Sequence, residues 1–192
     1  MKDADGGVGK VVTVWDLPVR VVHWSLVALV AVLMVSAKLG EMQIHGKAGL
    51  VMIGLVLFRL CWGVVGTPNA RFVSFLRGPG AVASYAWAFL RGRAPRHLGH
   101  NPLGGWMVAV LLTVLLVQAV LGLFATDDIL FDGPLAHLVS SSTSAFLTGL
   151  HKLLFKALLA LVGLHVLGVL AHLVVERENL VRPMLTGRKR LS

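Results

Sequence analysis

The feature that most constrains this chain is a set of four apolar runs, each long enough to cross a lipid bilayer. The chain has 192 residues, of which 56% are hydrophobic and 14% charged, so little remains for a soluble domain. We predict an all-α fold, with residues 1–192 forming one integral membrane four-helix bundle. The predicted helices are 21–39, 46–66, 104–125 and 150–175, joined by long loops at 67–103 and 126–149.

The distribution of charge predicts the orientation in the membrane. With the N-terminus inside, fourteen of the eighteen lysines and arginines fall in cytoplasmic segments. The outer side keeps only Lys38, Lys47, Lys152 and Lys156. The positive-inside rule then predicts a multi-pass protein of the bacterial inner membrane with both termini and loop 67–103 in the cytoplasm, and loop 126–149 in the periplasm. Topology explains the net charge of +9, so we expect the basic tail 188–190 to meet anionic headgroups, not nucleic acid.

The first apolar run has an alternative interpretation as a cleaved signal peptide. Residues 35–37 resemble a signal-peptidase site, and the polar tail 1–10 that precedes the run is predicted to be disordered. However, the segment before the run carries acidic residues, and cleavage would remove His23. Asp16 followed by Leu17 and Pro18 is typical of a helix start. We therefore predict that the first helix is retained.

Histidines recur at matching depths in the predicted helices. His151 and His165 are fourteen residues apart, which places them on one helix face, roughly 40° apart and about 21 Å apart along the axis. The first helix runs outward with His23 near the cytoplasm, and the second runs inward from His45. Depth therefore pairs His23 with His165 in an inner layer and His45 with His151 in an outer layer. Two imidazoles per layer predict two haems, each with two axial histidine ligands.

A packing role and a zinc site both fit these histidines less well. A single intramembrane histidine is often a packing or hydrogen-bonding residue, but four at two matching depths would be costly without a function. Zinc needs about four clustered ligands, and each layer offers two histidines without a nearby cysteine or carboxylate. The lone Cys61 and the lack of a C-x-x-C-H motif exclude covalent haem attachment, which predicts haem b. Iron with two histidine ligands has no open position, which favours electron transfer.

Several further residues are candidates for supporting roles. Arg59 lies fourteen residues after His45 and could pair with a haem propionate, or reach to headgroups. Arg20 has the same alternatives, with headgroup contact favoured. His172 lies about 10 Å beyond His165 and could exchange a proton with a substrate, or contact water at the interface. We expect surface or turn positions for His97, His100 and His137, and solvated loop positions for Asp127, Asp128 and Asp132. Gln118 is expected to be a packing residue. Gly46 and Gly49 are expected to leave room for a flat cofactor beside His45.

Several of these motifs resemble the prokaryotic cytochrome b561 family. They are His23-Trp24, His45-x-x-x-Gly49, Arg59-Leu60 and His151-x13-His165-x6-His172. Trp15-Asp16-x-Pro18-x-Arg20 and Gly99-His100-Asn101-Pro102 are also similar to its branch near the b-type cytochrome subunits of nickel–iron hydrogenases. The resemblance implies a four-helix protein with two haems that exchanges electrons with membrane quinone. It implies the same histidine pairs and a histidine near the quinone at position 172, where His172 could exchange a proton with the quinone. Arg59 and Arg20 are then candidates to contact either a haem propionate or the quinone.

The expected function is transmembrane electron transfer by a cytochrome b with two haems. We expect electrons to pass between membrane quinone, either ubiquinone or menaquinone, and a periplasmic redox partner such as a c-type cytochrome. One alternative is a superoxide:quinone oxidoreductase, since Lys47 and Lys152 near the outer pair would attract an anion. Another is a haem-bearing membrane anchor subunit of a dehydrogenase or hydrogenase.

Overall fold

A computed structural model describes residues 11–95, 97–127 and 131–190. The predicted disordered tail 1–10, Arg96 and Asp128 therefore lie outside the described residues. In chain order the elements are β1 (Val11–Thr13), α1 (Leu17–Leu39), α2 (Met42–Val65), α3 (Phe72–Phe75), α4 (Pro79–Leu90), α5 (Pro102–Leu123), a 3-10 turn (Ala136–Leu138), α6 (Ser141–Val175), α7 (Val181–Thr186) and β2 (Arg188–Arg190).

Four of these helices, α1, α2, α5 and α6, are long and apolar enough to cross a membrane. This confirms the all-α membrane fold and its four spans. Every span begins earlier than its apolar run suggested, and for three of them a polar side chain caps the first turn. The capping contacts are Asp16 Oδ1 accepting from Val19 N at 2.8 Å, Asn101 Oδ1 from Gly104 N at 2.7 Å and Ser140 Oγ from Thr143 N at 3.2 Å.

The largest difference from the predicted bounds is at the start of α6, which begins nine residues before the predicted position 150. Its first turns are the Ser/Thr cluster that was assigned to the outer loop. Ser144 is buried there, and its Oγ donates to the Phe124 carbonyl at 2.6 Å. Because these hydroxyls are bonded within the protein, a polar segment extends the helix beyond its apolar run.

The four long helices form a bundle that is less closed on one side. α1 packs on α2, α2 on α5 and α5 on α6, whereas within the described residues α1 and α6 make no comparable packing. The shared core contains Met52, Val56, Leu112, Leu115 and Leu158. The side chains that face each other across α1 and α6 are therefore available for a bound group.

The two described ends of the chain meet at one end of the bundle. β1 pairs with β2 in antiparallel register, and a second small core forms around Val14 and Trp15. The Trp24 indole N–H donates to the Met184 carbonyl at 3.2 Å, which ties α1 to α7. Lys189 pairs with Glu178 and donates to the His97 carbonyl, so the prediction that this lysine of the basic tail meets headgroups is wrong.

Loop 67–103 folds back against the same end of the bundle. α4 lies within this loop, and it buries Tyr85 while leaving Trp87 exposed. Phe75 and the α5 backbone at Gly105 are in such close contact that an added Cβ would lie 2.9 Å from the ring. This connection therefore forms part of the wall around the residues described below.

Asp16 joins three segments at this end of the bundle. Besides capping α1, its Oδ2 accepts from the Trp62 indole at 2.9 Å and from the Thr67 hydroxyl at 2.7 Å. Burial raises the pKa of Asp16, but the hydrogen bonds from Thr67, Val19 and Trp62, with the charge of Arg59, outweigh burial and lower it overall.

We expect Asp16→Ala to destabilise the protein by about 2 kcal/mol, because it removes a helix cap and two further hydrogen bonds to a carboxylate. Thr67→Val removes only one of these bonds and should cost about a third as much. Thermal unfolding of both variants in detergent at neutral pH measures the difference. An Asp16→Ala protein as stable as Thr67→Val would show that this carboxylate does not hold the segments together.

Candidate functional site

The structure places four of the predicted site histidines in two facing pairs. The ring centroids of His23 on α1 and His165 on α6 are 6.4 Å apart, with their planes tilted by 58°. The centroids of His45 on α2 and His151 on α6 are 6.2 Å apart, with their planes at 80°. These are the partners that depth matching expects, and α6 contributes one ring to each layer.

The spacing within each pair suits two rings bound to opposite sides of one metal atom. Two metal–nitrogen bonds of about 2 Å, plus about 1 Å from each nitrogen to its ring centre, place the centroids about 6 Å apart. Within the described residues, no group of three or more histidine, cysteine, aspartate or glutamate side chains could form a zinc site. Paired imidazoles therefore fit the axial positions of a haem iron better than a tetrahedral metal.

The outer pair is already oriented for ligation. His45 Nδ1 donates to the Leu33 carbonyl at 2.9 Å, and His151 Nδ1 donates to the Gln118 carbonyl at 2.9 Å. Since a carbonyl only accepts, each ring carries its proton on Nδ1 and leaves Nε2 unprotonated, as a metal ligand requires.

Gln118 contributes more to the outer layer than the packing role predicted for it. Its side-chain amide nitrogen lies 3.2 Å from His151 Nε2, while its backbone carbonyl fixes the other nitrogen of the same ring. Gly122 faces the same imidazole, and an added Cβ there would lie 3.2 Å from His151 Cε1. The sequence signal was the position of Gln118 as the most polar side chain within an apolar helix.

The glycines beside His45 differ from each other. A Cβ added at Gly49 would have nothing within 4 Å, as expected for a position that leaves room for a flat group. At Gly46 an added Cβ would lie 3.1 Å from the Phe131 ring, so the predicted room beside Gly46 is filled by the outer loop.

The inner pair opens into a cavity of about 430 Å³. Aliphatic and aromatic side chains of α1 and α6, among them Trp24, Val27 and Val166, form the walls beside His23 and His165. The volume is in the range of cofactor and ligand sites, and an apolar lining with a few polar groups is typical of them. Among the described residues, buried His23 Nδ1 has no hydrogen-bond partner, so an inserted group that reoriented the ring could offset that cost.

The cavity continues from the inner pair to a group of polar side chains beneath α4, α7 and β2. His172 is only 9% exposed, so the interpretation of this residue as a water-exposed interfacial histidine is wrong. Its ring stacks on Phe89 at 4.8 Å, and its Nε2 lies 2.8 Å from Asn101 Nδ2. The other polar residues that line this end are Tyr85, His97, His100, Glu176, Glu178 and Lys189.

The two candidate arginines have different surroundings. Arg59 is 5% exposed, its guanidinium lies 5.1 Å from the Phe72 ring centroid, and its Nη1 has no hydrogen-bond partner among the described residues. Such a buried group does not reach headgroups, and a cofactor carboxylate would satisfy it. The Arg20 guanidinium donates to the Leu185 carbonyl at 2.5 Å, which favours an anchoring role for it on α7.

His100 is not the surface or turn residue that was predicted. Its ring lies between Trp15 and Phe75, with both centroid distances 4.5 Å. Burial, together with the positive charge of Arg59, lowers the pKa of His100 to about 3. Of the other two loop histidines, His137 is exposed, and burial lowers the pKa of His97.

We expect this neutral, enclosed His100 to make stability depend on pH. In the unfolded chain its pKa lies near 6.5, so between about pH 6.5 and 3 only the unfolded state binds the proton. Stability should therefore fall as the pH drops from 7.5 to 5, with a contribution from this residue of up to about 1.4 kcal/mol per pH unit. Thermal unfolding of His100→Gln should show a flatter pH dependence than that of His137→Gln, which changes an exposed ring. Equal slopes in the two variants would contradict this role of His100.

Four membrane helices with paired imidazoles in two layers are the features of a membrane-embedded cytochrome b. The chain matches the family model for prokaryotic cytochrome b561 over residues 14–187, and it belongs to that family. No curated protein and no solved structure matches it. The family resemblance is thereby confirmed, and membership together with the four spans makes the chain a multi-pass membrane protein that binds haem b and carries electrons.

Proposed function

We propose that the protein binds two haem b groups and transfers electrons across the bacterial inner membrane, between quinone at the inner side and a periplasmic partner such as a c-type cytochrome. The observation that carries this proposal is the pair of imidazole spacings, 6.4 Å and 6.2 Å, in two layers of one bundle. Each spacing suits one iron, and the two layers are separated by about 21 Å along α6.

The protein's part in electron transfer is to hold each iron between two imidazoles. Haem b, when bound, supplies an iron that takes up and releases one electron. One haem would be held by His23 with His165 and the other by His45 with His151, an arrangement that favours electron transfer over the binding of oxygen or a substrate. Leu33 and Gln118 hold the outer imidazoles through their Nδ1 atoms, and such contacts tune the potential of the metal.

Arg59 is the stronger of the two candidates for contact with a haem propionate. A buried guanidinium needs a negative partner, and a propionate offers two oxygens in suitable geometry. Its Nη1 has no hydrogen-bond partner among the described side chains and backbone groups. Arg20 remains a second candidate for a propionate or quinone, although its described contact is with the Leu185 carbonyl.

The quinone, as ubiquinone or menaquinone, would bind in the inner cavity between the His23/His165 pair and His172. The cavity lies along both, so a ring there could exchange electrons at one end and a proton at the other. An imidazole nitrogen can both accept and donate a proton, which suits His172 for this exchange.

The proposed orientation places the β1/β2 end of the bundle in the cytoplasm. In the sequence, Lys38, Lys47, Lys152 and Lys156 lie nearest to His45 and His151. The positive-inside rule assigns this less basic side to the periplasm. The pairing of β1 with β2 supports a common side for both termini.

A superoxide:quinone oxidoreductase is the second candidate function. Lys47 and Lys152 are both exposed and lie next to the outer histidines in the sequence, where positive charge would concentrate an anion. Rapid haem reduction by superoxide, slowed in a Lys47→Gln/Lys152→Gln variant but not in Lys156→Gln, would favour this reaction over transfer from a protein partner.

In the proposed reaction, quinol should reduce the bound haem through the inner cavity. We expect His172→Gln to slow this reduction by about a hundredfold or more, the usual scale for a proton-transferring group, with haem content unchanged. Stopped-flow absorbance with ubiquinol and menaquinol in detergent measures the rate, and His137→Gln is the control. A wild-type protein whose haem neither quinol reduces would contradict the quinone assignment.

A further inference from the structure

Asn101 has a fixed side-chain orientation, although its oxygen and nitrogen are nearly alike in shape. Its Oδ1 accepts from Gly104 N at 2.7 Å as the cap of α5, and only the oxygen can accept. The amide nitrogen must therefore face His172, whose Nε2 is 2.8 Å away. Asn101 thus donates a hydrogen bond to His172 through Nδ2.

His172 is held from its other side as well. Its Nδ1 lies 2.8 Å from the Gly168 carbonyl, one turn earlier on α6, and can only donate to it. With a donor facing Nε2 and an acceptor facing Nδ1, the ring is fixed as the neutral tautomer that carries its proton on Nδ1. Phe89 stacks on the ring at 4.8 Å and keeps its plane in place.

Several polar groups lie near Nε2 of His172, the atom that would bind a second proton. The Tyr85 hydroxyl lies 3.5 Å and Glu176 Oε2 lies 3.8 Å from Nε2. Burial, with the charges of Glu176 and Glu178, raises the pKa of Tyr85 to about 12, so its hydroxyl stays protonated. The other titratable groups that line this end of the cavity are His97, His100, Glu178 and Lys189.

We propose that Asn101 is a positioning residue that sets His172 as a neutral proton acceptor, with Glu176 as the partner of the protonated ring. This proposal rests on the proposed quinone function. It assigns the protonation state of His172 when it meets its substrate, a quinol hydroxyl that can give up a proton. A proton arriving at Nε2 breaks the bond from Asn101, since both atoms are then donors. The imidazolium then pairs with the carboxylate of Glu176, one turn along α6.

Cap-preserving substitutions separate this role from helix capping. Asp and Ser are both good N-caps, so Asn101→Asp and Asn101→Ser should leave α5 and the haem content unchanged. Asn101→Asp replaces the donor facing His172 with an acceptor, whereas Asn101→Ser removes the donor alone. In the diamagnetic reduced protein, ¹⁵N-histidine NMR reads the protonation of each ring nitrogen, and His172→Gln identifies the signal.

We expect wild-type His172 to carry its proton on Nδ1 alone at pH 8, and the Asn101→Asp protein to carry a proton on Nε2 at the same pH. The rate of quinol-driven haem reduction should depend on pH, and one limb of that profile should disappear in His172→Gln. In Asn101→Asp the same limb should move to higher pH by about one to two units. In Asn101→Ser it should move less.

An unprotonated Nε2 in Asn101→Asp, or an unmoved limb, would overturn the proposal. A wild-type NMR signal as expected, in a protein that no quinol reduces, would instead refute the quinone function and leave the hydrogen-bond assignment standing. An Asn101→Asp protein that loses haem would show that the residue acts through the fold alone.

Discussion

His165→Ala should purify with about half of the wild-type haem, and His23→Ala should lose the same haem. Each substitution removes one of two axial ligands from a pair whose rings are 6.4 Å apart, and a b-type haem without a covalent link depends on those ligands. The double variant His23→Ala/His165→Ala should lose no more than either single variant, because both ligands belong to one site. Pyridine haemochrome assays against protein concentration measure the loss.

Controls distinguish ligand loss from misfolding. His137→Ala changes an exposed ring in the outer turn and should keep both haems. Imidazole added during haem reconstitution should restore the second haem to His165→Ala, since the truncated side chain leaves a space of the right shape beside the cavity. An inner-pair variant that keeps both haems would refute the pairing of His23 with His165.

His151→Ala should lose the other haem, and it should share that loss with His45→Ala. Their rings are 6.2 Å apart and are held by separate backbone carbonyls, those of Gln118 and Leu33. The combined variant His151→Ala/His165→Ala should contain no haem, because one ligand is missing from each layer. Reduced-minus-oxidised spectra and redox titrations identify which haem each single variant keeps.

A milder change in the outer layer provides a matched comparison. Gln118→Leu removes the amide that lies 3.2 Å from His151 Nε2 but keeps the backbone carbonyl that orients the ring. It should keep both haems and shift only the potential of the outer one. If His151→Ala and His165→Ala lost the same haem, the two-layer arrangement would be wrong.

Most of the membrane architecture follows from the sequence because bilayer thickness fixes the length of an apolar helix. The same constraint gives each histidine a depth, and depth selects its partner before any packing is known. The structure places His23 beside His165 and His45 beside His151 for this reason. Because each residue of a regular helix adds a fixed rise along the axis, the separation of two residues in the sequence gives their difference in depth across the membrane.

The residues that the sequence misjudged depend on contacts between distant segments. His100 is enclosed by Trp15 and Phe75, which lie 85 and 25 positions earlier in the chain. Lys189 of the basic tail meets Glu178 and the His97 carbonyl, which charge counting cannot foresee. The polar start of α6 was assigned to a loop because hydropathy does not detect helix caps.

The most direct test of the two-haem assignment is the ratio of haem to polypeptide in the wild-type protein. Purification in mild detergent with haem supplied during expression, followed by pyridine haemochrome and amino-acid analysis, gives that ratio. Two imidazole pairs, each spaced for one iron, predict two non-covalent haem b groups per chain. A ratio of one, or none, would contradict the assignment of both pairs as axial ligands.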